Sequence, residues 1–219
     1  MNLLAIDTAT ERCSVAARIE GQWLERSVDT QRGHADIVLS MVDDVLKEAG
    51  VQLQALHGIA YGRGPGAFTG VRIAIGVVQG LAFGANLPTV GVSDLAAVAQ
   101  QVAAQGKRVL VCMDARMNEV YWGRFERLDT GLVAPTGEEH VTSPAAIDQL
   151  EVDVVAGTAM AAYPDLAAKF KDVPQVWALP RAREILMLSE PEFRAGRGVP
   201  AFEAQPVYLR DQVAFVKGG

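Results

Sequence analysis

Leu4-Ala5-Ile6-Asp7, followed after a polar turn by Cys13-Ser14-Val15-Ala16, is echoed later in the chain by Val111-Cys112-Met113-Asp114 and Val120-Tyr121-Trp122-Gly123. Each copy is an apolar run that stops at an aspartate, turns, and resumes as a second apolar run, the pattern of two paired strands. The echo predicts a degenerate internal duplication, and hence an α/β chain of two related lobes. Outward from the first copy, Gln22 to Val28 adds a third strand after the Glu20-Gly21 turn. Ala35 to Ala49 places Ile37, Val38, Met41, Val42, Val45 and Leu46 at helical spacing, with Gly50 as a stop. Gly58 to Tyr61 reads as a buried strand, Gly62 to Gly70 as a loop and Val71 to Gly84 as a helix. Pro88 to Val92 reads as an edge strand that leads into a helix capped by Ser93. The order is βββαβα. In the second half, strands over Arg108 to Met113 and Glu119 to Phe125 precede an expected αβα run: Ser143 to Leu150, Val152 to Ala156 and Ala159 to Phe170. A last helix is expected near Arg183 to Ala195. The chain divides into an N-terminal lobe, residues 1–105, and a smaller second lobe, residues 106–219, that includes the C-terminal helix.

The composition is that of a globular chain, with 219 residues, half of them hydrophobic and 21% charged, enough for real cores. A net charge of −6 with scattered Lys and Arg disfavours unaided nucleic-acid binding. Cys13 and Cys112 stand alone in apolar runs, which suits reduced thiols in the cytoplasm. Met1 leads straight into an apolar strand pattern with no basic segment ahead of it, so secretion is not expected. The uncharged stretch from Ile73 to Ser93 is broken by Gln79, Asn86, Pro88 and glycines, so a buried helix followed by a strand is expected there rather than a membrane span.

Gly62-Arg63-Gly64-Pro65-Gly66-Ala67-Phe68-Thr69-Gly70-Val71-Arg72 is the most distinctive segment. A glycine-rich turn entering a helix can direct amides at phosphate. It lacks the Lys-Ser or Lys-Thr of a P-loop and the distal acid of a dinucleotide fingerprint, and glycine serves sharp turns and close packing equally well. In the following helix, Gly76, Gly80 and Gly84 form one ridge, at a cost of about 1 kcal/mol for each interior glycine. Something must approach that face closely. Packing against the sheet or the preceding helix, or contact with another subunit, would each account for it. Asp7 with Thr8 and Thr10, and Asp114 in the second half, could orient a metal-bound phosphate at strand ends or could simply form turns. His34, His57 and His140 are too far apart in sequence to suggest a metal site, and no Gly-x-Ser-x-Gly elbow is present.

Ile6-Asp7-Thr8-Ala9-Thr10, the Tyr61 to Arg72 run, Gly91-Val92-Ser93, Met113-Asp114-Ala115-Arg116 with Glu119-Val120-Tyr121, and Pro206-Val207-Tyr208-Leu209-Arg210 resemble, in this order, the bacterial TsaB (YeaZ) family. The resemblance implies the actin-like, sugar-kinase (ASKHA, RNase H-like) fold with a reduced second lobe. It also implies a non-catalytic, cytoplasmic dimerisation subunit in tRNA processing. Such a subunit supports a TsaD-type enzyme in placing N6-threonylcarbamoyladenosine next to the anticodon of tRNAs that read A-starting codons. The partners implied are the TsaD-type paralogue, a TsaE-type ATPase and a second copy of the chain, with tRNA only indirectly and no membrane. Where TsaD-type proteins carry Gly-Val-Asn-His-Met-Glu-Gly-His, this chain reads Gly91-Val92-Ser93-Asp94-Leu95-Ala96-Ala97-Val98, with Asp94 and Val98 in place of the two metal-binding histidines. No catalytic residue, metal or cofactor of its own is therefore expected; the metal ion and the ATP-derived threonylcarbamoyl-adenylate belong to the enzyme. Family members pair through their first two long helices, which points to Ile37, Met41, Val45, Ile73, Gly76, Val77, Gly80 and Gly84 as interface residues. The competing expectation is an autonomous ATPase or phosphotransferase of the actin-like superfamily working through Asp7 and Asp114.

Overall fold

In the computed structural model, which describes residues 1–30 and 32–210, two sheets share one topology. The first contains β1 (Leu3–Asp7), β2 (Arg12–Ile19), β3 (Gln22–Asp29), β4 (Gly58–Gly62) and β5 (Thr89–Val92), in the order β3-β2-β1-β4-β5. The second contains β6 (Arg108–Asp114), β7 (Val120–Arg127), β8 (Val133–Pro135), β9 (His140–Thr142), β10 (Val154–Ala156) and β11 (Gln175–Val176). Its order is β11-β10-β6-β7-β8, with β9 also on β7. In both sheets the central strand pairs antiparallel with the strand that follows it and parallel with a later one: β1 with β2 and β4, β6 with β7 and β10. The duplication read from the sequence is thus a repeat of strand order.

Alternation along β1 sets the layers, because successive side chains leave a strand on opposite faces. Leu4 and Ile6 pack beneath α1 (His34–Ala49) and α2 (Phe68–Ala85), with Val38, Val45, Ala74 and Val78. Leu3 and Ala5 face the other way, onto Ile185, Leu186 and Phe193 of a helix near the C-terminus. β1 is buried on both sides, which explains its unbroken apolar run. α3 (Asp94–Val102) begins at Ser93, whose Oγ accepts the Ala96 amide at 3.2 Å, and lays Leu95, Val98, Ala99 and Val102 on Val109, Val111 and Val154 of the second sheet. That sheet's far face packs Leu110, Cys112 and Val155 against Ile147, Leu166 and Phe170.

Three expectations change. The helix expected over residues 143–150 is a single 3-10 turn, Pro144–Ala146, whose short length leaves Ile147 free to enter the core. The helix expected over Ala159 to Phe170 is broken into α4 (Ala159–Ala162) and α5 (Pro164–Lys169), because Pro164 lacks the amide that would continue the first turn. Finally, α6 (Ala182–Arg194), placed with the second lobe by its position in the chain, packs on the first sheet. The Ala182 amide donates to Ser14 Oγ at 2.9 Å, Arg18 pairs with Glu190, and Ile185 and Leu186 are fully buried. The apolar underside of β1 and β4 needs a cover, and the returning chain supplies it.

The seam is tight at Gly58, where a Cβ would lie 2.3 Å from the Phe193 ring. Phe193→Ala is expected to lower the unfolding free energy by roughly 3–5 kcal/mol, as large-to-small changes in cores do. Gly58→Val should destabilise by steric overlap, and urea titrations followed by circular dichroism would measure both. A loss below about 1 kcal/mol for Phe193→Ala would mean that α6 is not structural cover.

Candidate functional site

α1 and α2 lie side by side on the first sheet, and their outer surfaces differ. The buried positions of α1 are His34, Val38, Met41, Val42 and Val45, the inward stripe of a 3.6-residue period. Met41 and Val45, expected at a partner interface, are therefore core residues, at 6% and 0% exposure. Ile37 is half-buried at the edge of the same cluster. On α2 the inward stripe is Gly70, Val71, Ala74, Ile75, Val78 and Ala82. Gly76, Gly80 and Gly84 are on the outside, and a Cβ added at any of them would meet nothing within 4 Å. The glycine ridge consequently packs against no other part of the chain among the described residues.

Around it the surface stays apolar. Ile73 and Val77 are half-buried beside the ridge, Phe83 is 83% exposed, and from Ile73 to Ala85 no residue carries a charge. The eighteen residues of α2 have a mean hydropathy of 1.5, yet only 33% of them are buried. Next to Leu81 a groove of ≈520 Å³ opens between the helices, floored by Leu46, Val51 and Leu53 and rimmed by the exposed Leu39. A contiguous exposed apolar face of this kind marks a contact surface.

The loop that launches α2 is pinned from below. Asp7, at the end of β1, and Asp94, the first residue of α3, are both buried, and Gly62 lies against both: a Cβ there would be 2.4 Å from Asp94 Oδ1 and 2.7 Å from Asp7 Oδ1. Asp7 Oδ1 accepts the Ala9 amide at 2.9 Å and Asp94 Oδ2 the Gly64 amide at 2.6 Å, while the other oxygen of each meets no donor. Two carboxylates cannot both stay ionised in such a place. Burial pushes Asp7 up to about 6, against the pull of the Ala9 amide. Burial and then the Asp7 charge push Asp94 well above the usual carboxylate range. A proton retained by the pair would supply the missing hydrogen bond.

The same loop fills the turn after β1. Thr8 Oγ1 donates to the Gly70 carbonyl at 2.7 Å, the Ala67 amide donates to the Ala9 carbonyl at 2.7 Å, and Cβ atoms at Gly66 and Gly70 would overlap the Ala9 and Thr8 carbonyls. Thr10 Oγ1 accepts the Arg12 amide. Asp114 lies in the other sheet, where its Oδ1 accepts Tyr163 Oη at 2.8 Å and the Arg116 amide at 2.9 Å. No hydrogen bond joins Asp114 to Asp7 among the described residues, and Asp7, Thr8, Thr10 and Asp114, considered above for phosphate, each make hydrogen bonds within the chain. The real partner of Asp7 is Asp94, which nothing in sequence spacing indicates. Among the described residues no three His, Cys, Asp or Glu side chains gather as a metal-binding group.

A family model described as TsaD: tRNA N6-adenosine threonylcarbamoyltransferase matches residues 28–217. The chain is 41% identical to the tRNA threonylcarbamoyladenosine biosynthesis protein TsaB of Escherichia coli K12, over 99% of its own length and 98% of that protein's. The chain belongs to the TsaB (YeaZ) family. The protein of the same name from Haemophilus influenzae is 40% identical over 99% of this chain and 97% of its own length. A solved structure, YeaZ from Pseudomonas aeruginosa, superposes with a TM-score of 0.83 at 43% identity, covering 95% of this chain and 99% of that one. This TsaB-family chain accordingly shares the YeaZ fold, with one strand order repeated in two sheets, and its Asp7 and Asp94 are enclosed beneath the glycine-rich loop.

The acid pair makes stability depend on pH in a defined direction. In the unfolded chain both carboxyls release their protons near the ordinary value of about 4, whereas the folded pair retains at least one to higher pH. The folded state binds more protons, so stability falls as pH rises from about 4 through the folded pKa values. Asp94→Asn keeps an acceptor for the Gly64 amide and offers Asp7 a permanent donor. It is expected to remove most of this fall, worth roughly 2–3 kcal/mol between about pH 4 and pH 8. Parallel pH profiles for the native and variant chains, read by urea unfolding, would show that the pair holds no shared proton.

Proposed function

We propose that this chain is a catalytically silent subunit that binds a TsaD-type enzyme through the outer face of α1 and α2 and supports formation of N6-threonylcarbamoyladenosine in tRNA. The observation that carries the reading is the open glycine ridge. Two interior glycines and a third in the last turn cost a helix about 2 kcal/mol, and here none of the described residues takes advantage of the space they leave. A second helix crossing at Gly76, Gly80 and Gly84 would approach more closely than the usual 8–10 Å between axes and would cover Ile73, Val77 and Phe83. When the enzyme is absent, the same face serves a second copy of the chain, and a TsaE-type ATPase joins the assembled complex.

Two features support catalytic silence. Asp94 and Val98, which stand where the resemblance puts metal-binding histidines in TsaD-type enzymes, are both buried, Asp94 against Asp7 and Val98 in the core beneath the second sheet. A phosphotransfer role for Asp7 would require it to leave the enclosure formed by Gly62, Gly66 and Gly70, and Asp114 is occupied by Tyr163 and Arg116.

Gly80→Arg separates assembly from folding. Light scattering on a sizing column should show the native chain forming a heteromer with the TsaD-type protein from the same source, and the variant binding at least about tenfold more weakly. Because a side chain at position 80 meets nothing and Arg is a better helix former than Gly, the variant monomer should be more stable by about 0.5–1 kcal/mol. A variant that assembles normally, or a native chain that ignores the enzyme at micromolar concentrations, would overturn the proposal.

A further inference from the structure

The segments that carry the family resemblance lie far apart in sequence, yet the last of them ties two others together on the surface. After α6 the chain runs back over the glycine-rich loop: the Gln205 amide donates to Tyr61 Oη at 3.0 Å and the Val207 amide to the Arg63 carbonyl at 2.8 Å. Tyr208 then stacks on Phe68, with ring centres 5.7 Å apart and planes inclined by 30°. Arg72 joins them, its guanidinium carbon 3.5 Å from the Phe68 ring centre and its Nε donating to Tyr208 Oη at 2.7 Å. Two residues on, Arg210 reaches the other sheet's hairpin, where it donates to the Ala115 carbonyl at 3.1 Å and pairs with Glu119. That hairpin turns through Arg116, Met117 and Asn118, three consecutive non-glycine residues at φ 61°, 55° and 57°, and it holds Arg116 and Met117 out in solvent.

These contacts build an arginine-rich, partly aromatic platform on a chain whose net charge is −6. Arg63, Arg72 and Arg210 lie along the segments this strap joins, Arg116 lies in the hairpin it reaches, and only Asp114 and Glu119 form ion pairs with any of the four among the described residues. Phe68 is 51% and Tyr208 43% exposed. Arginines beside partly exposed rings are the pattern that holds single-stranded nucleic acid, with bases stacking on rings and guanidinium planes and phosphates meeting arginines. Left-handed backbone at three bulky positions is costly, and such strain gathers at functional turns.

We infer that the Phe68–Arg72–Tyr208 platform, flanked by Arg63, Arg116 and Met117, binds unpaired nucleotides of an RNA loop. The contact is direct, beyond the indirect one that the family resemblance implies, and it rests on the proposed function only for the choice of RNA. Phe68 and Arg72 extend the row Gly76, Gly80, Gly84 by two turns toward the helix start, so the RNA would lie at the rim of the partner face. An unpaired loop held there is presented to whatever protein covers the ridge.

The test titrates two labelled RNAs, a hairpin with an unpaired loop and a fully paired duplex, into the full-length chain at low salt. Assembly with the TsaD-type protein is followed separately by light scattering, so that failure of the partner reading is seen independently. The hairpin should bind more tightly than the duplex, with an affinity that falls as salt rises. Phe68→Ala and Tyr208→Ala should each weaken it by about tenfold, and Arg63→Gln should reduce the salt dependence, all without change in assembly or thermal unfolding. Equal binding of hairpin and duplex, or variants that bind the hairpin like the native chain, would overturn the inference. So would variants that lose assembly while hairpin binding persists, since the platform would then belong to the protein partner.

Discussion

The close approach of the Gly62–Gly70 loop to the turn after β1 is the contact on which the first lobe depends. Glycines at 62, 66 and 70 each face an atom that leaves no room for a side chain: the Asp7 and Asp94 carboxyls, the Ala9 carbonyl and the Thr8 carbonyl. The requirement is for proximity, since none of the three has the positive φ that reserves a position for glycine. A loop held this closely needs partners for its amides, and the Ala9 carbonyl and Asp94 carboxyl provide them. The buried acid pair follows from that geometry. With the backbone so near, no cationic side chain pairs with either carboxyl among the described residues, and burial raises both toward the protonated form.

Seating of the loop fixes where α2 begins, and with it which of its residues face the sheet. Val71, Ala74, Ile75, Val78 and Ala82 then point inward, and the ridge of Gly76, Gly80 and Gly84 must point outward. A helix this apolar would ordinarily be covered on every side. Here α1 lies beside it and leaves its outer surface open. The exposure of Phe83 and Leu39 is therefore a property of the arrangement of helices, not of one misplaced side chain.

Much of this was legible in sequence. The Asp7 and Asp114 echoes gave the repeated strand order, period-two and period-3.6 patterns located β1 to β5 and the three long helices of the first half, and Ser93 marked the start of α3. The second half was harder because its elements are short. β8, β9 and β11 span two or three residues each, too few for any periodicity, and the Ser143 to Leu150 segment has helix-forming residues but only one turn of structure. Met41 and Val45 were misplaced because amphipathicity shows which residues share a face without showing whether sheet or partner covers it. Asp94 was visible as the residue standing in place of a metal-binding histidine. Its pairing with Asp7 joins positions that only the fold brings together.

Both contact surfaces argued for this chain are carried by one helix. The glycine ridge occupies the middle and end of α2, and the Phe68–Arg72 platform occupies its first turns, completed by Tyr208. Sites on regular elements hold their geometry more accurately than sites on loops, and a single helix fixes the distance between two of its own turns at 1.5 Å per residue. Phe68 and Gly80 are thus held about 18 Å apart along the axis, whatever the loops around them do. The strap through Tyr208 and Arg210 extends the platform to the second sheet's hairpin, so that hairpin too is located with respect to α2. The proposed RNA contact at the rim and the proposed protein contact on the ridge would therefore share one rigid reference.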